Sequence, residues 1–290
     1  MYGIPQYCQS DFGSIGSRYF ENSNRIVNLY NFEFKQPKTI SEALAALESD
    51  EAQILAGGQT LIPTMKQRLA SPSSLVSLSA ISEMKGICEN DDGSISIGGG
   101  TTHADVATNS NIFPGLVTLA ENIGDAAVRN RGTIGGSLAN NDPAACYPAA
   151  ALGTGATIIT NAREISADDF FLGMFETALD EGEIILSVRF PFPLLSAYQK
   201  FIQPASRFAM VGVFLSKFDD ETRVAVTGAS EGGVFRWSEA EDALNKNFSD
   251  GAIKNLSIDH NEMISDIHAS KEYRAHLVKV MTKRAIISAS

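Results

Sequence analysis

Two glycine-rich stretches stand about eighty residues apart in the chain: Ala56-Gly57-Gly58-Gln59-Thr60-Leu61-Ile62-Pro63 and Thr133-Ile134-Gly135-Gly136-Ser137-Leu138-Ala139-Asn140-Asn141-Asp142-Pro143. Each sets paired glycines and hydroxyl side chains at the end of an expected strand or loop. Glycine has no Cβ, so its amide can come close to a ligand. Consecutive amides facing one way cradle an anion, and neighbouring hydroxyls can donate to phosphate oxygens. One such loop alone reads as a tight turn. Two of them, without a metal or nucleophile motif, point to a pair of loops closing on one diphosphate.

The commoner meanings of a glycine run fail on spacing. Gly153-Thr154-Gly155 supplies the first two glycines of a dinucleotide fingerprint, but Ile158 holds the third position and a strand, not a helix, is expected to follow. No glycine run is followed by the lysine of a P-loop, so nucleoside triphosphate hydrolysis has no support. Serine and cysteine nucleophile elbows are absent. Asp168-Asp169 precedes an aromatic pair and reads as a helix cap, not an acid–base dyad, so no residue is assigned a catalytic role. His103, His260, His268 and His276 show no zinc-like pairing with Cys8, Cys88 and Cys146, and the chain is expected to be metal-free. Three scattered cysteines suit reduced thiols and a cytoplasmic setting.

Charge narrows the partners. The 290 residues carry 34 acidic and 23 basic side chains, a net charge of −11, with no basic cluster. Such a field repels phosphate backbones, so nucleic acid is not expected as a partner. No apolar run reaches the ~18 residues of a spanning helix, so no membrane insertion is expected. The first thirty residues lack the layout of a secretory signal. Polar and rich in glycine and serine, they read as an irregular extension or an arm clasping a partner.

Periodicity supplies the elements. Thr39-Ile40-Ser41-Glu42 is a capping box, and Ile40, Ala43, Leu44 and Leu47 follow at helical spacing. Gln53 to Leu55 reads as a strand entering the first glycine stretch, with a helix from Thr60 to Leu69 after it. Strands are expected at Leu75 to Leu78 and Ser94 to Ile97, a helix from Pro114 to Ile123, and a short helix from Tyr147 to Leu152. A strand at Ala156 to Thr160 turns back through Asn161-Ala162. Beyond a boundary near Leu179-Asp180-Glu181-Gly182, strands at Ile184 to Phe190, Ala197 to Ile202, Met210 to Phe218 and Arg223 to Gly228 suggest an antiparallel meander. Helices at Ser238 to Lys246 and Lys271 to Ser288 close the chain. The class is α+β.

The words around the glycines carry a resemblance. Ala56 to Pro63, Arg129-Asn130-Arg131-Gly132-Thr133-Ile134-Gly135-Gly136 and Asn141-Asp142-Pro143-Ala144-Ala145 resemble the FAD-binding medium subunit of the molybdenum hydroxylases, the family of the carbon monoxide dehydrogenase medium subunit and the FAD domain of xanthine dehydrogenase. The match continues through Asp169 to Gly173, Glu183 to Pro191, Tyr198-Gln199-Lys200-Phe201 and Tyr273 to Leu277, covering roughly residues 31 to 288. It implies a two-lobed FAD-binding fold of the vanillyl-alcohol oxidase (PCMH) type followed by an α+β C-terminal domain with a small antiparallel sheet. The expected division is residues 1–30 as extension, 31–178 as the FAD-binding domain with lobes 31–85 and 86–178, and 179–290 as the C-terminal domain.

By that resemblance, Leu55, Ala56, Gly57, Gly58, Gln59, Thr60 and Leu61 would hold the cofactor's diphosphate together with Thr133, Ile134, Gly135, Gly136 and Ser137, through amides and hydroxyls. Ile123 and Ile185 would supply apolar packing, and Lys200 would lie near the isoalloxazine ring, against the plainer reading of an exposed strand lysine. One departure stands out: relatives commonly carry aspartate where this chain has Cys146. A thiol cannot accept hydrogen bonds as a carboxylate does, which weakens nucleotide contact there or passes it to Asn141 or Asp142. Simple packing is the favoured reading of Cys146, with redox activity as its alternative. Covalent attachment has no supported anchor: His103 is the only candidate near a glycine run, and is expected to be unlinked.

The resemblance implies non-covalent FAD, a large molybdopterin subunit that oxidises the organic substrate, and a small subunit whose two-iron two-sulfur clusters pass electrons on. A dimer of such heterotrimers is the expected assembly, with NAD, a quinone or oxygen as final acceptor. Two other readings stay open: a stand-alone flavoprotein oxidoreductase with its own pocket, and a nucleotide-binding scaffold without redox function.

Overall fold

A computed structural model describes residues 29–289. The expected extension at residues 1–30 lies almost wholly outside the described residues.

The first lobe is built from β1 (Glu33–Lys35), α1 (Ile40–Leu47), β2 (Ala52–Leu55), α2 (Leu61–Lys66) and β3 (Ser74–Ser77). The strands form a parallel sheet in the order β1-β3-β2, with Glu33 and Ala52 both in register with Ser74. Thr39 caps α1, its hydroxyl accepting from the Glu42 amide at 3.2 Å. The apolar stripe read from the sequence turns Ala43 onto β3, in a small core with Val76, Ile81, Met84 and Ile184. The second helix stops at Lys66, short of the expected Leu69, because Arg68 takes a left-handed φ of 61° that ends it.

The second lobe runs through β4 (Ile87–Glu89), β5 (Ile95–Gly98), α3 (His103–Ala107), α4 (Pro114–Glu121), α5 (Ala126–Arg129), α6 (Ile134–Asn140), α7 (Tyr147–Thr154), β6 (Thr157–Thr160), β7 (Glu164–Ser166) and α8 (Ala167–Phe170). A small hairpin, β8 (Phe171–Gly173) and β9 (Glu176–Thr177), and then β10 (Ile185–Phe190) complete it. Its antiparallel sheet has the order β4-β5-β10-β6-β7.

That order corrects the sequence reading. The sequence reading has a strand at Ile184 to Phe190 open the C-terminal meander, after a boundary at 178/179. Instead β10 is the central strand of the second lobe, pairing Val188 with Ile97 on one side and Ile158 on the other. Its alternating apolar residues mark a strand in either sheet, and only the shared core of Ile97, Ile158, Val188 and Phe190 selects this one. The chain leaves this sheet after Phe190, through Pro191-Phe192-Pro193.

The third sheet is the expected meander with one strand fewer at its start and one more at its end: β11 (Leu195–Ile202), β12 (Ala209–Lys217), β13 (Thr222–Ser230) and β14 (Gly233–Arg236). It is covered on both faces, which explains why β13 is buried at every residue. Phe214 and Ala225 face α7 and join the core of the second lobe, whereas Val213, Leu215, Val224 and Val226 face α10 (Lys271–Ser288). Helix α9 (Ser238–Lys246) closes the end of β13 through the Glu241 carboxylate, which accepts from the Val224 amide at 2.8 Å. Arg274 of α10 is fully buried, donating to the carbonyls of Met210 and Gly228 at 2.7 Å each and pairing with Asp266. Among the described residues no helix is long and apolar enough to cross a membrane.

Candidate functional site

The two glycine stretches meet. Gly57 packs so tightly on the 131–132 backbone that a Cβ there would overlap the Arg131 carbonyl. Gly135 approaches Gly99 so closely that its Cβ would stand 2.7 Å from the Gly99 oxygen. Glycine is therefore required at both places by the approach of another strand of backbone, not by flexibility.

The stretches do different work. In the first, the amides of Gly57, Gly58, Gln59 and Thr60 donate no hydrogen bond to other described backbone or side-chain groups. They sit just before the amino-terminal turn of α2 and form an open set of donors. The second was expected to be a loop but is a helix. Thr133, in extended conformation, accepts from the Gly136 amide at 3.2 Å and so caps α6. The amides of Ile134 and Gly135 donate to the carbonyls of Thr101 and Gly99 at 3.1 and 2.9 Å. Its backbone donors are thus engaged within the protein, and what it presents is the Ser137 and Thr133 side chains. Two adjacent glycines disfavour helix on propensity alone, which is why the sequence reads as loop; the cap and the close packing on Gly99 override that preference.

Two cavities with shared walls flank this meeting point. A groove of about 1280 Å³ runs from Leu55, Ala56, Gly57, Gly58, Gln59, Thr60 and Leu61 past Thr133, Gly136 and Ser137 to Ile123, Asp142, Cys146 and Lys200. A smaller cavity of about 210 Å³ lies on the other side, lined by Leu78, Met84, Lys85, Arg131, Gly135 and Ile185. Ile54, Ala56, Gly57, Thr133, Gly136 and Glu183 border both. An elongated ligand pinned at its middle suits that shape better than a compact one.

Two residues singled out from the sequence are not on these walls. Ile134 is fully buried in the core of the second lobe. Asn141 is also buried, with a left-handed φ of 40° that ends α6. Its amide nitrogen donates to the carbonyls of Gly173 and Glu176 at 2.7 and 2.9 Å, so it fastens the β8–β9 hairpin. Asp142 does line the groove, its carboxylate accepting from the Ala144 amide at 2.8 Å.

At the far end of the groove, Lys200 reaches across from β11. Its ammonium donates to the Asn122 carbonyl at 2.8 Å and to Cys146 Sγ at 3.5 Å. His103 forms part of the nearer wall beneath Gly132, its backbone amide donating to the Gly132 carbonyl at 3.0 Å. Burial, with Arg129 adding to it, pushes the imidazole down to about 4, so it is neutral near pH 7. Its Nδ1 has no partner, and its ring lies 5.2 Å from that of the buried Tyr147.

Sequence reasoning passed over Glu183, Arg207 and Phe208. Burial by itself pushes the Glu183 carboxyl up, but hydrogen bonds from Arg163, Thr160 and the Asp180 amide outweigh it and bring it down to about 2. This carboxylate fixes the 180–183 turn that borders both cavities. The signal for it was present in the buried-strand start Glu183-Ile184-Ile185. Arg207 and Phe208 reach the groove from the β11–β12 turn, which has no local motif. Among the described residues, no cluster of histidine, cysteine, aspartate or glutamate could hold a metal ion.

Comparison with known proteins identifies the family. The profile for the FAD binding domain in molybdopterin dehydrogenase matches residues 30–193. That span ends where the chain leaves the second sheet. The nicotine 6-hydroxylase medium subunit of Paenarthrobacter nicotinovorans is 34% identical over 279 residues, covering 88% of this chain and 96% of the relative. The glyceraldehyde dehydrogenase medium chain of Sulfolobus acidocaldarius is 32% identical over 272 residues, covering 88% and 96%. Among solved structures, carbon monoxide dehydrogenase from Hydrogenophaga pseudoflava, in a form lacking the Mo-pyranopterin moiety of its molybdenum cofactor, superposes with a TM-score of 0.79 at 31% identity, covering 90% of this chain and 98% of that one.

Proposed function

Because this chain belongs to the family of FAD binding domains in molybdopterin dehydrogenases, and is the FAD-binding subunit of a molybdenum-hydroxylase-type oxidoreductase, we propose that it is the electron outlet of a larger complex. The residues fit the cofactor. Four unengaged amides at Gly57 to Thr60 face the groove with the hydroxyls of Thr133 and Ser137, and glycines at 57 and 135 permit the approach. That set of donors, with no basic side chain among them, is the single observation that carries the reading: it neutralises a diphosphate through dipoles.

The smaller cavity, with Leu78, Met84 and Ile185 on its walls, suits an adenosine end. The long groove ending at Lys200 suits the flavin end. FAD supplies a carrier that exchanges electrons singly or in pairs. The protein's own contribution is binding and electrostatics. The Lys200 ammonium favours the more negative, reduced form of a ring beside it and so raises its potential. Neutral His103 and buried Tyr147 line or back the wall without adding charge. Electrons would arrive from iron–sulfur centres of a small subunit, after substrate oxidation at molybdopterin in a large one, and leave for an external acceptor.

Relatives named for nicotine, glyceraldehyde and carbon monoxide share this architecture at similar identity. Such unlike substrates support placing substrate choice in another polypeptide. Expression of the chain alone tests the cofactor: the purified protein should be yellow, with a flavin absorption spectrum and FAD released on denaturation. A colourless protein that takes up no FAD would sink the proposal in favour of a scaffold. Turnover of an organic substrate by the lone chain would favour a self-sufficient flavoprotein instead. Co-purification with two partners bearing molybdenum and iron tests the assembly.

A further inference from the structure

We propose that Cys146 is a peroxide-oxidised thiol, a modification site in the groove wall whose sulfenic acid is held by Lys200 and Tyr198. Cys146 is 5% exposed and lines the groove just before α7. Its sulfur receives the Lys200 ammonium at 3.5 Å. No carboxylate pairs with Lys200 among the described residues, whose other contact is the Asn122 carbonyl. From β11 the Tyr198 hydroxyl also lies against Cys146, 97% buried by its 3% exposure, and without a hydrogen-bond partner. Two donors therefore converge on an atom that accepts hydrogen bonds poorly.

An oxygen added to that sulfur supplies the missing acceptor. It can take one hydrogen bond from Lys200 and one from Tyr198, so the oxidised residue satisfies a buried hydroxyl that the reduced residue leaves unpaired. The reaction needs only a hydroperoxide as oxidant. The sulfur attacks the nearer peroxide oxygen, the O–O bond breaks, and the departing hydroxide takes a proton, giving sulfenic acid and water from thiol and hydrogen peroxide. Sulfur loses two electrons and the peroxide gains them. Lys200 lies where a cation stabilises the negative charge that develops on the leaving oxygen. The site stands on this geometry whether or not the groove holds FAD.

Cys88 is the internal reference. It is exposed on β4, and among the described residues its sulfur makes one hydrogen bond, to the Ser96 carbonyl at 3.8 Å, and none with a lysine or arginine. The test treats the full-length chain with hydrogen peroxide, traps sulfenic acid with dimedone and quantifies the labelled peptides by mass spectrometry. Cys146 should label about tenfold faster than Cys88 despite its burial, and Lys200→Met should remove about that factor while Lys200→Arg restores it. Labelling of Cys146 no faster than Cys88, or a Lys200→Met rate equal to wild type, would overturn the proposal. Tyr198→Phe removes only a hydroxyl that lacks a partner, so it should leave the fold intact and lower the yield of trapped Cys146 severalfold. An unchanged yield in that variant would equally overturn it.

Discussion

At the scale of the residue, Gly57 sets how closely the two glycine segments approach. Gly57 and the Arg131 carbonyl are so close that any side chain at 57 must push the two glycine segments apart. Gly57→Ala is therefore expected to abolish retention of FAD, and to lower stability by about 1–3 kcal/mol through overpacking. Flavin content per chain and a urea midpoint measure both; wild-type flavin content would remove this contact from the binding site. His103 acts through pH. Its value falls from 6.5 to about 4 on folding, chiefly by burial. The unfolded chain therefore binds the proton first as pH falls, and stability is lost between pH 6.5 and pH 4, by about 3 kcal/mol in full. Urea unfolding at pH 7 and pH 5 should show a clear part of that loss in the wild type and much less in His103→Gln. Equal pH dependence in the two proteins would remove His103 as its source.

At the scale of the element, helix α6 carries a groove-lining residue at one cap and a structural fastener at the other. Its start carries Thr133 and Gly135 to the groove, and its end carries Asn141 to the β8–β9 hairpin. Their replacements should separate. Asn141→Ala leaves the Gly173 and Glu176 carbonyls without their donor and should cost about 2–3 kcal/mol, while the folded fraction keeps its flavin. Thr133→Ala should cost only about 1 kcal/mol as a lost cap, yet weaken FAD binding, because its hydroxyl faces the groove. Titration of the apoprotein with FAD beside a denaturation curve distinguishes the two. The same loss of affinity in both variants would place Asn141 in the site after all.

Across the whole molecule the second lobe and the C-terminal sheet are one body. Tyr198, Phe214 and Ala225 belong to the same core as Ile97, Ile158, Val188 and the α7 alanines. Arg223 strengthens the joint, donating to the Leu152 carbonyl at 3.1 Å and pairing with Asp168. Trp237, the single tryptophan, is buried in the opposite core against α10 and reports on the C-terminal sheet. Its fluorescence change and the release of flavin should therefore share one urea midpoint. Release of flavin well before the tryptophan transition would mean that the groove opens independently of the sheet that carries Lys200.

Much of this was legible locally. The Thr39 cap of α1, the apolar period of α4 and α10, three strands of the meander and the two glycine stretches all declare themselves within a few residues, because period and cap chemistry are short-range; the reciprocal half of the expected capping box does not form, since the Glu42 carboxylate accepts from the Lys38 amide instead. The proposed diphosphate site starts from the same short-range signal, paired glycines flanked by hydroxyls. The fate of β10 was not legible: Ile185–Phe190 suits either sheet, and only side chains distant in sequence choose. Nor was the helical state of residues 134–140, where packing on Gly99 overrides two helix-weakening glycines. Asn141 looked like a ligand-facing amide and proved to be a fastener. The sequence by itself determined where backbone could approach other groups closely and which segments were amphipathic. The tertiary structure decided which amides remained without a partner, and brought Cys146, Tyr198 and Lys200 together, because hydrogen-bond competition and long-range contact are settled only when the whole chain has packed.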